Sequence, residues 1–214
     1  MRTAVLTALF LPALACATQR VDVTTTEKTD FAAGGTVRIE GSTGELNIEG
    51  WDQPFVEIEV VRSVWTEKKA DDVKAELGRI AVTKKLEGKE LTFTTSEPKK
   101  HTRAQINYRI HVPANTKLVI HHRIGDVVIY GVDGDIDATA KVGDVAVQLR
   151  EPAKYQIDAF TKLGGIYSDF DGKIVHRRSG MGESLNPAAE GTGDARRVSL
   201  HVGTGGISIQ KVTV

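Results

Sequence analysis

A glycine followed by an acidic residue and an apolar-x-apolar triplet recurs through the second half of the chain, and it constrains the fold more than any other feature. Gly125-Asp126-Val127-Val128-Ile129 is followed nine residues later by Gly134-Asp135-Ile136-Asp137-Ala138, and nine further on by Gly143-Asp144-Val145-Ala146-Val147. Looser copies stand at Gly164-Gly165-Ile166-Tyr167-Ser168 and Gly205-Gly206-Ile207-Ser208-Ile209, with an early cousin at Gly44-Glu45-Leu46-Asn47-Ile48. Glycine reaches the positive φ that a sharp corner needs, and the acidic residue is expected to project outward there. Apolar residues at the second and fourth positions after the glycine point inward, while the residue between them faces water. Strands this short bury too little alone, but stacked they form a continuous apolar column. The expectation is an all-β fold, a β-solenoid or β-helix-like stack of short strands with glycine corners. No helices lie between the strands to build βαβ units, which argues against a barrel or doubly wound α/β fold.

The first half is more elaborate. Thr36–Glu40, Glu45–Glu49 and Phe55–Val61 alternate with period two between Gly and Pro turns, which predicts an antiparallel meander. Between Trp65 and Leu77, Ala70, Val73 and Leu77 fall at helical spacing, so one surface helix is expected, capped by Thr66 and ended by Gly78. Arg79–Thr83 and Leu91–Thr95 flank Glu87-Gly88-Lys89 as a hairpin. A strand over Ala104–Val112 carries Ile106, Tyr108, Ile110 and Val112 on one face, and Pro113–Thr116 closes it. Two segments, Glu97–Thr102 and the glycine-rich Ser179–Asp194, read as loops.

At the N-terminus, Met1 and Arg2 precede an apolar run from Ala4 to Leu11, and Ala13 and Ala15 are the small residues of a cleavage site. That run is far shorter than the ~20 residues a membrane-spanning helix needs. The expected organisation is a signal peptide over residues 1–15, a polar linker over 16–30, and a β domain over 31–214 with an internal division near 113–124. Cys16 is the only cysteine, so no intramolecular disulfide forms. It directly follows Ala13-Leu14-Ala15, which resembles a lipobox except that Ala13 stands where leucine is expected. Lipidation at Cys16 and ordinary cleavage after Ala15 or Ala17 both remain open. Two acyl chains on Cys16 would be a stable membrane tether.

Several residues carry a family resemblance. Gly44 to Val60, with Gly50-Trp51 before an alternating strand, looks like the opening of the bacterial putative-adhesin domain family. Tyr108–Thr116 resembles that family's strand followed by a Val-Pro turn, and the Gly-Asp-Ile/Val units resemble its repeats. The resemblance covers residues 36–214. It implies a β-helix-like fold on envelope proteins with an adhesive role, and it carries no catalytic or binding residues.

Side-chain chemistry is sparse. Asp126, Asp135 and Asp144 recur at fixed spacing, and Asp133, Asp135 and Asp137 alternate around Gly134, but neither set matches a calcium repeat or an EF-hand, so corner residues are the favoured reading. The six histidines lack helical zinc spacing, and the adjacent His121 and His122 face opposite sides of a strand. Nucleophile motifs are missing. No catalytic, cofactor or metal residues are assigned, and no cofactor is expected. Arg177, Arg178, Arg196 and Arg197 flank the predicted loop about one solenoid turn apart, as paired arginines beside a solvated insertion or as a stacked ridge for anionic lipid or polysaccharide groups. Twenty-eight basic and twenty-eight acidic residues cancel, which gives no global attraction for nucleic acid.

The functional expectation is a non-enzymatic, exported cell-envelope protein in the periplasm, outer membrane or cell surface, contacting a surface polymer or envelope protein. The alternatives are a solenoid carbohydrate-active enzyme, lyase or hydrolase, and a periplasmic structural or stress-response component whose stack is capped by a partner or by the final strand Ile207–Val214.

Overall fold

A computed structural model describes residues 18–95, 104–151, 155–176, 182–187 and 195–213. The signal segment, Cys16, Arg177, Arg178 and the segment Glu97–Thr102 lie outside the described residues. In chain order the first part comprises β1 (Gln19–Asp30), β2 (Thr36–Thr43), β3 (Leu46–Trp51), β4 (Phe55–Thr66), α1 (Ala70–Leu77), β5 (Val82–Glu87), β6 (Glu90–Thr95) and β7 (Gln105–Pro113). The second part comprises β8 (Lys117–Ile124), β9 (Val127–Tyr130), β10 (Ile136–Val142), β11 (Val145–Glu151) and β12 (Tyr155–Leu163). It continues through β13 (Ile166–Ser168), β14 (Gly172–His176), β15 (Glu183–Pro187), β16 (Arg196–Thr204) and β17 (Ile207–Thr213).

These strands form two mixed sheets. One has the order β1-β4-β7-β3-β9-β11-β17-β13, the other β14-β15-β12-β16-β10-β8-β2-β6-β5. Five units each give one strand to each sheet: β2/β3, β8/β9, β10/β11, β16/β17 and β12/β13. Within both sheets they follow the same order and pair in parallel, so the units lie above one another. They are not stacked in chain order, because the last unit inserts between β10/β11 and β12/β13. The expectation of a solenoid wound through successive repeats is therefore corrected to two mixed sheets, in which β7 and β6 extend the stack in parallel and β1, β4, β5, β14 and β15 pair antiparallel beyond it. Parallel ladders need only matching registers, and the repeats supply those without ranking the units. The final strand does not cap an end either, since β17 lies between β11 and β13.

The alternation sets the core. Leu46, Ile48, Val127, Ile129, Ile136, Ala138, Val145, Val147, Ile207 and Ile209 are all buried, at the second and fourth positions after their glycines. They join one hydrophobic cluster that also contains Val37, Ile39, Leu91, Ile106 and Ile110. β8, at the place of the expected division near 113–124, pairs with both β2 and β10 near the centre of its sheet.

The corner is built from backbone. Gly44, Gly125, Gly143, Gly205 and Gly164 all have positive φ and stack in that order: Gly44 N–H donates to Ile124 O, Gly125 to Val142 O, Gly143 to Thr204 O and Gly205 to Leu163 O, at 2.7–2.9 Å. A Cβ at Gly143 would lie 1.9 Å from the carbonyl oxygen of Gly125. The acidic residues do not simply project outward. Asp126 Oδ1 accepts from Asp144 N–H at 2.9 Å and Asp144 Oδ1 from Gly206 N–H at 2.7 Å, each tying one unit to the next. Gly134 belongs to the opposite edge, where the chain returns to the other sheet, so the nine-residue spacing is half of one unit. There Asp135 Oδ1 accepts from Arg197 N–H at 2.9 Å.

The first half departs further from expectation. Gln19–Asp30 is not a linker but an edge strand, β1, antiparallel to β4 along its full length. Val21 is buried, and the Thr-rich remainder suits an exposed edge. The predicted meander also fails, because Gly41–Gly44 is a corner between sheets and not a hairpin turn. β3 pairs in parallel with β7 and β9, whereas β4 pairs antiparallel with β1 and β7. The helix is shorter than predicted, starting at Ala70 with Lys69 at its N-cap, while Trp65 and Thr66 end β4; Gly78 ends the helix, and Val73 and Leu77 are buried as expected. The β5/β6 hairpin forms, turning at Gly88. Within the predicted loop Ser179–Asp194, Glu183–Pro187 is instead β15, paired with β12 and β14.

Candidate contact groove at the turn edge

The edge opposite the glycine corners is made of turns, and here side chains differ from unit to unit. Ala114 N–H donates to Trp51 O and Asp133 N–H to Ala114 O, so the turns after β3, β7 and β9 form a continuous hydrogen-bonded floor. Gly50 permits the approach, since a Cβ there would lie 1.9 Å from Gly131 O. Above this floor lies an open groove of about 380 Å³ lined by Trp51, Gln53, Pro54, Asn115, Asp133 and Arg196, among others.

Trp51 is held rigidly. Its ring stacks on His111 at 4.7 Å and 16°, meets Phe55 edge-on at 4.7 Å, and its Nε1–H donates to Phe55 O at 3.0 Å. His111 is itself placed between Glu49 (3.2 Å) and Glu57 (3.6 Å). Asp133 is fixed from two units, with Arg196 Nη1 at 3.4 Å from Oδ1 and Arg150 Nη1 at 3.5 Å from Oδ2. The Arg196 guanidinium also lies over the Tyr155 ring, 5.9 Å from its centroid. Gln53 and Asn115 are exposed at the rim.

Of the four arginines singled out in the sequence, Arg196 lines this groove and pairs with Asp133, while Arg197 is exposed. His176, the last described residue before Arg177 and Arg178, is level with Val202 through Glu183 and Thr161, about 20 Å along β16 from Arg196. Pattern reasoning missed Trp51, Asn115 and Asp133 as a group, because they come from turns far apart in sequence. The signal available was Gly50-Trp51, an aromatic residue at a turn.

Away from the groove, one nucleophile-like pair among the described residues is sealed in the core. Ser42 Oγ and His122 Nδ1 are 2.7 Å apart, a distance suited to a nucleophile and base. Ser42 is fully buried and His122 is 2% exposed, so no substrate reaches the hydroxyl. Burial pushes the His122 imidazole below its ordinary value. His121, its neighbour, is exposed on the other face against Glu40 at 3.0 Å, as the strand alternation predicts. A cavity of about 20 Å³ beside Arg62 has room for roughly one water, and Arg62 donates to Ile80 O and Thr25 Oγ1. Among the described residues no three His, Cys, Asp or Glu side chains group as a metal site. None of their helices is long and apolar enough to cross a membrane.

No family model matches the sequence, and no curated protein matches it. Solved structures do match. A putative cell adhesion protein from Clostridium sporogenes shares 13% identity and aligns over 89% of this chain and all of that one, with a TM-score of 0.50. A putative adhesin from Parabacteroides merdae, 11% identical, aligns over 68% of this chain and 63% of that one, at a TM-score of 0.36. A putative adhesin from Bacteroides fragilis, 9% identical, aligns over 89% and 97%, at 0.31. At this identity the likeness to the Clostridium protein, described as a putative cell adhesion protein, shows the fold: the chain shares it, in agreement with the fold that the resemblance in the sequence implies.

Proposed function

We propose that this is a non-enzymatic, exported envelope protein that makes its contacts through the turn-edge groove. The observation that carries the reading is the contrast in how the groove and the rest of the stack are built. Backbone ladders and buried apolar rows hold the units rigid, while the groove presents Trp51, Gln53, Asn115 and Arg196 on fixed turns. Rigid scaffolds displaying variable turn side chains suit recognition. The adhesion role named for the Clostridium protein points the same way. Turnover has little support: the Ser42–His122 pair is sealed, and both oxygens of Asp133 face arginines. Export rests on the apolar N-terminal segment and its small-residue cleavage site, and lipidation on the position of Cys16.

The test is binding of the purified chain to envelope preparations, read against the groove variant Asn115→Arg. Saturable binding lost in that variant is the expected result. Release of reducing ends or unsaturated sugars from polyuronates would instead establish an enzyme. Mass spectrometry of the mature N-terminus decides whether Cys16 is lipidated.

A further inference from the structure

We infer that the turn-edge groove is a subsite for a neutral saccharide, an inference that rests on the contact reading above and names its ligand class. Three features converge on that chemistry. The first is a preorganised aromatic plate. Trp51 is partly exposed, yet its orientation is set by the stack on His111, the edge contact with Phe55 and the bond from Nε1–H to Phe55 O. The negative face of an indole attracts the polarised C–H groups that line one side of a pyranose ring, and a locked ring loses little entropy on binding.

Hydrogen-bonding groups surrounding that plate make the second feature. Gln53 and Asn115 each offer a donor and an acceptor in one plane, which is what a pair of neighbouring hydroxyls needs. Both are exposed at the rim. The Arg196 guanidinium uses Nη1 toward Asp133 and Tyr155 at 3.4 Å, and its remaining N–H groups are further donors.

Charge is the third. Asp52 and Asp133 stand against Arg196 and, behind the groove, Arg150, so the formal charges cancel. Both arginines share the Asp133 carboxylate. A phosphate or uronate site would need guanidinium groups in excess of carboxylates, and this groove has none in excess. The volume of about 380 Å³ lies within the ~300–1,000 Å³ of small-ligand sites. Because the groove is open, single-site affinity is weak, and useful adhesion comes from many copies on one surface.

The experiment uses the full chain carrying Trp65→Phe, which leaves Trp51 as its one indole. Its fluorescence is titrated with lactose, maltose, cellobiose and mannobiose, and separately with polygalacturonate and inorganic phosphate. A saturable change with a neutral disaccharide is expected, weakened roughly 3–10-fold by Gln53→Ala or Asn115→Ala. Thr139→Ala, on the outer face of β10 away from the groove, should leave it unchanged. Silence toward all four disaccharides overturns the inference, as does a response confined to polygalacturonate or phosphate, or one that both groove variants retain. If Asn115→Arg abolishes envelope binding while no disaccharide registers, the saccharide assignment fails and the contact reading stands. If a disaccharide binds but envelope binding ignores the groove, the contact reading fails and the saccharide site stands.

Discussion

The two edges of the stack solve the same problem, turning a chain between sheets, by opposite means. At the glycine corner every unit uses the same backbone geometry, and Asp126 and Asp144 direct their carboxylates to amides of the neighbouring unit. At the turn edge each unit brings a different side chain, and these meet in a groove. A repeated corner gains cooperativity, because one altered unit disturbs two neighbours, but it leaves nothing for a ligand to distinguish. Variation is tolerated only where the backbone does not itself fill the contact, and recognition is therefore expected there.

The largest effect should come from Gly143→Ala. Its φ of 127° excludes ordinary side chains and the new Cβ would meet Gly125 O at 1.9 Å, so at least about 3 kcal/mol of stability should be lost in urea unfolding. Gly41→Ala and Gly88→Ala are the controls: both have positive φ but open space around the added Cβ, so about 1–2 kcal/mol is expected. Equal losses at all three would break the idea that stacking, and not φ alone, demands the corner glycines.

Next in size is the acid response of the buried corner residue His122. Its folded value is held below the ordinary 6.5, so the unfolded chain binds more protons as pH falls. Stability should be full above about pH 6.5 and decline as pH falls toward the folded value. His122→Leu removes this titration. It leaves the Ser42 hydroxyl without its partner and costs roughly 1–3 kcal/mol at pH ~8, but it should flatten the dependence measured by urea melts across pH ~5–8. An unchanged slope would assign the acid sensitivity to other groups.

Asp144→Ala should cost about 1–2 kcal/mol by freeing Gly206 N–H, and Asp144→Asn less, since its amide oxygen still accepts. Chelator should leave the wild-type melting temperature unchanged. A fall would mean that the acidic corners hold a cation and not only amides. Smallest of all, Asn115→Ala and Gln53→Ala should shift stability by no more than about 0.5 kcal/mol, while changing binding. A large stability loss at either would make the turn edge structural, like the corner it is contrasted with.

Much of the fold was legible because it depends on local pattern. The inward rows at Val127 and Ile129, Val145 and Val147, and Ile207 and Ile209 follow from period-two alternation, as does the exposed His121 beside the buried His122. The strand bearing Ile106, Tyr108, Ile110 and Val112 was equally readable. The linker assignment of Gln19–Asp30 failed because a polar edge strand buries little; its valines and threonines suit a strand, but no local pattern names β4 as the partner. Of the groove, Arg196 stood out in the sequence as one of a pair of arginines and Trp51 as an aromatic residue at a turn, but nothing local said that the two meet.

By itself, then, the sequence determined which residues face the core and where the chain must turn, since both are set by side-chain alternation and by the positive φ that glycine alone tolerates freely. Only the tertiary structure decided the order in which the units stack and which turns become neighbours. Similar repeats have similar registers, so local pattern cannot rank them, and long-range packing put β16/β17 between older neighbours and brought Trp51, Asn115, Asp133 and Arg196 to one groove.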